Sequence, residues 1–144
     1  DTCECVVAGT TRWIPSWDEF NTLNERFGLN IHVDDGTDWN LVEVKYEEHG
    51  AVKSCGGDHH IYVTVLDKNG NPIPKPVSVS NGDTTTTKVT DVPCSTDWDM
   101  YKNNRYTVKV AEGSSDVIYD LGMYDKDEPA GTAHVSFILT FQEA

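Results

Sequence analysis

Asp58, His59 and His60 stand side by side in the sequence, closely preceded by Cys55. Imidazole and carboxylate together form the donor set of a metal or phosphoesterase centre, and a thiol beside histidine invites a nucleophile reading. Successive side chains of an extended chain point to opposite faces, so His59 and His60 could not easily hold one ion. Surface histidines at a loop-to-strand junction are the plainer account, and Cys55 reads better as half of a cystine.

Acidic turns are the second chemical theme. Asp67-x-Asn69-x-Asn71 has the alternating oxygen spacing of a Ca²⁺ loop, but Pro72 stands where such loops need Gly, and Ser78 where they carry Glu. A plain turn is expected there. Asp34, Asp35 and Asp38 form another acidic turn, and Asp125, Asp127 and Glu128 a third; each could hold Ca²⁺ loosely, against the simpler reading of an Asx-rich turn. No carboxylate pair stands out for glycoside hydrolysis among 24 acidic residues. The sequence contains no G-x-S-x-G, Walker loop or H-E-x-x-H.

Aromatic residues supply the third theme. Trp39 follows Asp38, and Trp98 lies between Asp97 and Asp99, with Tyr101 close by. A loop tryptophan flanked by carboxylates can stack on a sugar ring while the acids bind its hydroxyls. The alternative is an indole folded onto the core as a loop anchor.

The four cysteines are Cys3, Cys5, Cys55 and Cys94. A Cys3–Cys5 bridge would close a very short, strained loop. The favoured scheme staples Cys3 and Cys5 separately to Cys55 and Cys94, each bridge contributing ~2–4 kcal/mol. Zinc is the rival reading, although Cys3-x-Cys5 is one residue short of a CxxC knuckle.

These residues must be positioned by a chain of 144 residues, the size of one domain, spanning residues 1–144 with an N-terminal strand-helix extension over about residues 1–35. Net charge is −13, which argues against nucleic acid and against an anionic membrane surface. No apolar run approaches the roughly 20 residues of a membrane span. The opening at Asp1, without Met or a basic, apolar leader, suggests a mature exported product or an excised module. Acidity and an even cysteine count then point to a secreted or cell-surface protein.

The pattern is mainly β. Ile61, Val63 and Val65 alternate with His60, Tyr62 and Thr64; Asp67–Pro72 reads as the turn of a hairpin, and Val77 and Val79 restart the alternation. Further strands are expected at Leu29–Val33, Leu41–Glu47, Thr84–Val89 (polar, hence exposed or an edge), Arg105–Val110, Asp116–Leu121 and Ala133–Gln142. In the last, Val135, Phe137, Leu139 and Phe141 share one face; the other is mostly polar and expected to meet solvent. Asp91–Asn104 reads as irregular. One amphipathic helix is expected over about residues 16–27, capped by Ser16 with Glu19, striped by Trp17, Phe20, Leu23 and Phe27, and ended by Gly28. Seven or eight short strands with turns every 8–12 residues or so predict an antiparallel β-sandwich.

Ile61 to Val79 resembles the first hairpin of carboxypeptidase-regulatory-like and transthyretin-like sandwiches and of bacterial Ig-like repeats; Met100 to Val110 is similar to their G-x-Y-x-V-x-V strand, with Asn104 where Gly is commoner. The resemblance covers about residues 58–142 and leaves the helix and the Cys3/Cys5 segment outside. It implies an Ig-like or transthyretin-like fold and noncatalytic roles: spacer, adhesion, assembly or carbohydrate contact.

The leading expectation is a noncatalytic, secreted structural or adhesive subunit that binds copies of itself or other cell-surface proteins, with no catalytic residues and no cofactor beyond Ca²⁺. A carbohydrate-binding module using Trp39, Trp98 and Tyr101 is the alternative. A small hydrolase using an acid pair or the His59/His60 region is the third reading.

Overall fold

The computed structural model describes residues 21, 24–25, 28–48, 60–92, 96–101, 104–122 and 135–144. Among them the chain forms nine strands: β1 (His32–Asp34), β2 (Trp39–Glu48), β3 (His60–Leu66), β4 (Pro76–Ser80), β5 (Thr85–Val89), β6 (Thr96–Asp99), β7 (Tyr106–Val110), β8 (Val117–Leu121) and β9 (Val135–Glu143). One sheet has the order β1-β8-β7-β4-β5, the other β2-β9-β3-β6. All pairings are antiparallel except β3 with β9, which run parallel, Ile61 opposite Phe137 and Val63 opposite Leu139.

Alternation drives the packing. Ile61, Val63 and Val65 of β3 and Phe137, Leu139 and Phe141 of β9 meet Val77, Val79, Val108, Val110, Ile118 and Leu121 of the facing sheet in one buried cluster. This is a two-layer β-sandwich, as the alternation predicts, but with nine strands rather than seven or eight and not wholly antiparallel, because β9 runs beside β3 in the same direction.

Four expectations change. The first concerns Asp67–Pro72, which does not close a hairpin between two paired strands. Leu66 bridges Pro72 and Ile73 N donates to Val65 O at 2.9 Å, but β3 and β4 then lie in different sheets. Prolines 72, 74 and 76 offer no N–H, so the ladder cannot continue and the chain crosses the sandwich. The turn itself is built as expected: Asp67 Oδ1 accepts from Asn69 N and Asn71 N, and Gly70 takes φ +85°.

Secondly, the irregular stretch Asp91–Asn104 contains β6, which pairs with β3. Thirdly, the polar face of β9 is not solvated. Ser136, Ile138 and Thr140 are buried, Ile138 against Tyr62, and Thr140 Oγ1 donates to the buried Glu43 Oε1 at 3.1 Å. Hydroxyls on this face are thus compatible with burial because they find partners within the sheet, Thr140 as a donor to Glu43 and Ser136 as an acceptor from His60 N. Fourthly, Leu41–Glu47, whose alternation would put Val42, Val44 and Tyr46 on one face and Glu43, Lys45 and Glu47 on the other, does not alternate strictly. A bulge between Leu41 and Glu43 lets Leu41 and Val44 both reach the core.

The helix expected over 16–27 lies largely outside the described residues; of its span only Asn21, Asn24 and Glu25 are described, and these are helical. Its stop signal is described: Gly28 has φ +66°, and Leu29 N donates to Asn24 O at 2.9 Å, a helix-ending arrangement. Asn24 Oδ1 then accepts from Ile31 N at 2.8 Å, which fixes the approach to β1.

Candidate functional site

Strand β6 carries Thr96-Asp97-Trp98-Asp99, and its pleat separates these side chains. Trp98 opposes Ile61 and enters the core at 4 % exposed, while Asp97 opposes Tyr62 and Asp99 opposes His60 on the outer face. The same period puts His60 and Tyr62 on that outer face of β3. His60 is 3 % exposed, and its Nε2 lies 2.6 Å from Asp99 Oδ1 and 3.8 Å from Asp97 Oδ2. Its Nδ1 faces Tyr62 Oη at 3.4 Å, the two rings meeting edge to face at 5.7 Å. Both aspartates are about half exposed, so a buried imidazole sits at the base of a group whose carboxylates reach solvent. One donor atom from each of His60, Asp97 and Asp99 falls within 4.8 Å of the others, the only such group of His, Cys, Asp or Glu among the described residues.

The inner side of β6 meets β5 across the lateral edge of the sandwich. Trp98 Nε1 donates to Thr86 O at 3.3 Å, Lys88 Nζ lies 5.1 Å from the Trp98 ring, and the same ammonium donates to Asp97 O at 2.6 Å. A shallow depression of about 230 Å³ lies here, lined among others by Lys88, Trp98, Asp99 and Tyr101.

Strand β5 ends its sheet, and all five of its residues are exposed. The hydrogen bonds that flank its pairing with β4, Asn81 N to Thr84 O and Thr90 N to Lys75 O, fix the alternation of the ladder. Thr86 and Lys88 therefore turn their backbone groups toward β4, and Thr85, Thr87 and Val89 turn theirs away from it. Among the described residues no strand lies beyond them.

The sugar-stacking expectation is corrected by burial. Trp39 and Trp98 are each 4 % exposed, because both stand on strands rather than in loops and alternation turns them inward. Tyr101 is exposed, and its backbone N–H donates to Tyr106 Oη at 2.8 Å. A lone exposed ring does not make the platform expected of three.

In the acidic turn at 34–38 the carboxylates of Asp34 and Asp38 take separate protein partners. Asp38 Oδ2 accepts from Ser114 N at 2.7 Å, Asp34 accepts from the Tyr119 hydroxyl, and Asp35 is exposed. That hydrogen bond, ahead of slight burial and the Asp34 charge, holds the Tyr119 phenol above its ordinary value of 10.0. Asp125 and Asp127 lie outside the described residues, as do Asp58, His59 and all four cysteines. The grouping of His60 with Asp97 and Asp99 escapes sequence reasoning. Its one sequence signal is the alternation in Asp97-Trp98-Asp99, which reads as a strand only once its pairing with β3 is known.

No family model matches the chain, and searches of curated proteins and of solved structures found no match. Among the described residues no helix is long and apolar enough to cross a membrane.

Proposed function

We propose that this chain is a noncatalytic structural or adhesive β-sandwich subunit, of Ig-like or transthyretin-like kind, that works outside the cell by adding strand β5 to another copy. The observation that carries this reading is the open edge at Thr85–Val89: five exposed residues, without proline, with outward-turned backbone groups at 85, 87 and 89. An edge of this kind is a template for pairing unless it is blunted. Lys88 is its single charge, and that ammonium is drawn back onto Asp97 O. The buried core behind β5 suits a load-bearing part, and the net charge of −13 would keep free subunits apart until edges meet in register.

Sedimentation velocity and negative-stain imaging over a concentration series test this. The wild-type chain should form dimers or filaments as concentration rises. Thr87→Pro removes an outward N–H without touching the β4 ladder, so it should abolish association while shifting the melting temperature little. A wild-type chain that stays monomeric throughout, or a Thr87→Pro chain that associates equally well, would refute the reading.

A further inference from the structure

We infer that His60, Asp97 and Asp99 form a zinc site on the outer face of the β3–β6 pair. The donor chemistry selects the ion: one imidazole nitrogen and two carboxylate oxygens suit Zn²⁺, whereas Ca²⁺ takes oxygen ligands alone. Donors around a tetrahedral zinc stand roughly 3.3 Å apart, given metal–ligand distances of about 2.0–2.1 Å. The observed separations from His60 Nε2 are 2.6 Å to Asp99 and 3.8 Å to Asp97, which bracket that spacing. Small rotations of two short, half-exposed side chains would therefore seat the ion on Nε2, with the imidazole proton carried on Nδ1, which faces Tyr62 Oη.

The rest of the arrangement is that of a prepared ligand. Burial and strand register hold the imidazole in place, and Tyr62 Oη at 3.4 Å from Nδ1 supplies the outer contact that orients a metal-bound histidine. Among the described residues only the carboxylates of the group face solvent, so the ion enters from their side. The site lies across β6 from the edge proposed for assembly and does not depend on that proposal.

Calorimetric titration of the non-reduced 144-residue chain with ZnCl₂ tests the inference, together with the Co²⁺ absorption spectrum and histidine ¹⁵N shifts. One zinc per chain should bind in the micromolar range and perturb His60 Nε2. Asp99→Asn and Asp97→Asn, both at half-exposed positions that leave the core intact, should each weaken binding at least ~10-fold. Binding unchanged in both variants, no binding at millimolar zinc, or a Co²⁺ spectrum with thiolate charge-transfer bands would each overturn the site.

Discussion

The carboxylate of Asp116 grips the backbone of Leu41 and so ties one sheet of the sandwich to the other. Its Oδ2 accepts from Leu41 N at 2.7 Å and its Oδ1 from Gly36 N at 2.7 Å, while Asp116 N donates to Trp39 O at 2.8 Å. Asp116 is 7 % exposed, so its charge is held by these donors rather than by water. Hydrogen bonds to a buried charge are worth ~1.5–3 kcal/mol each. Asp116→Ala should therefore lower the unfolding free energy by about 3 kcal/mol or more, and Asp116→Asn by roughly half as much because one acceptor survives. Urea denaturation of the two variants checks the order. Gly36→Ala should also destabilise, by ~1–3 kcal/mol, since an added Cβ would fall 2.2 Å from the Ser115 carbonyl carbon.

Trp98 joins the two sheets at the opposite edge, and its two contributions separate by substitution. Trp98→Ala should cost ~3–5 kcal/mol in chemical denaturation, the range for truncating a buried aromatic. Trp98→Phe keeps most of the packing and loses the bond from Nε1 to Thr86 O, so it should cost about 1 kcal/mol beyond the change in volume. Equal losses in the two variants would mean that the indole N–H, not its bulk, dominates.

Tyr119 gives a pH dependence whose sign is fixed by its hydrogen bond to Asp34. The folded state holds the phenolic proton more tightly than the unfolded chain, so this contribution is complete below pH 10 and is lost as pH rises through the folded value. In a tyrosinate absorbance titration, the difference between wild type and Tyr119→Phe should show a midpoint above 10.0. Asp34→Asn should bring it down toward the ordinary value.

Where the chain alternates over five or more residues, its strands are legible in the amino-acid order alone. Ile61–Val65 and Val135–Phe141 are the clearest cases, because a period of two has one way to bury its apolar members. The Asp67–Pro72 turn is equally plain as a turn. Its partner strand is not, because the loss of donors at prolines 72, 74 and 76 decides which sheet Val77 joins. Strand β6 is four residues long and too short to show a period, so Asp97-Trp98-Asp99 reads as a loop with an exposed indole. The His60–Asp99 contact depends on the register of β3 against β6, which no local pattern encodes. Burial of Glu43, Ser136 and Thr140 is hidden for a related reason: their partners come from neighbouring strands, and a polar letter by itself reads as solvated.

Amide hydrogen exchange at Thr85, Thr87 and Val89, followed from dilute to concentrated protein, probes assembly where it is proposed to occur. Pairing through β5 predicts that these three outward N–H groups become protected as concentration rises, in step with the growth of larger species. Exchange at unchanged, rapid rates in samples that have associated would contradict it and place the contact elsewhere on the sandwich.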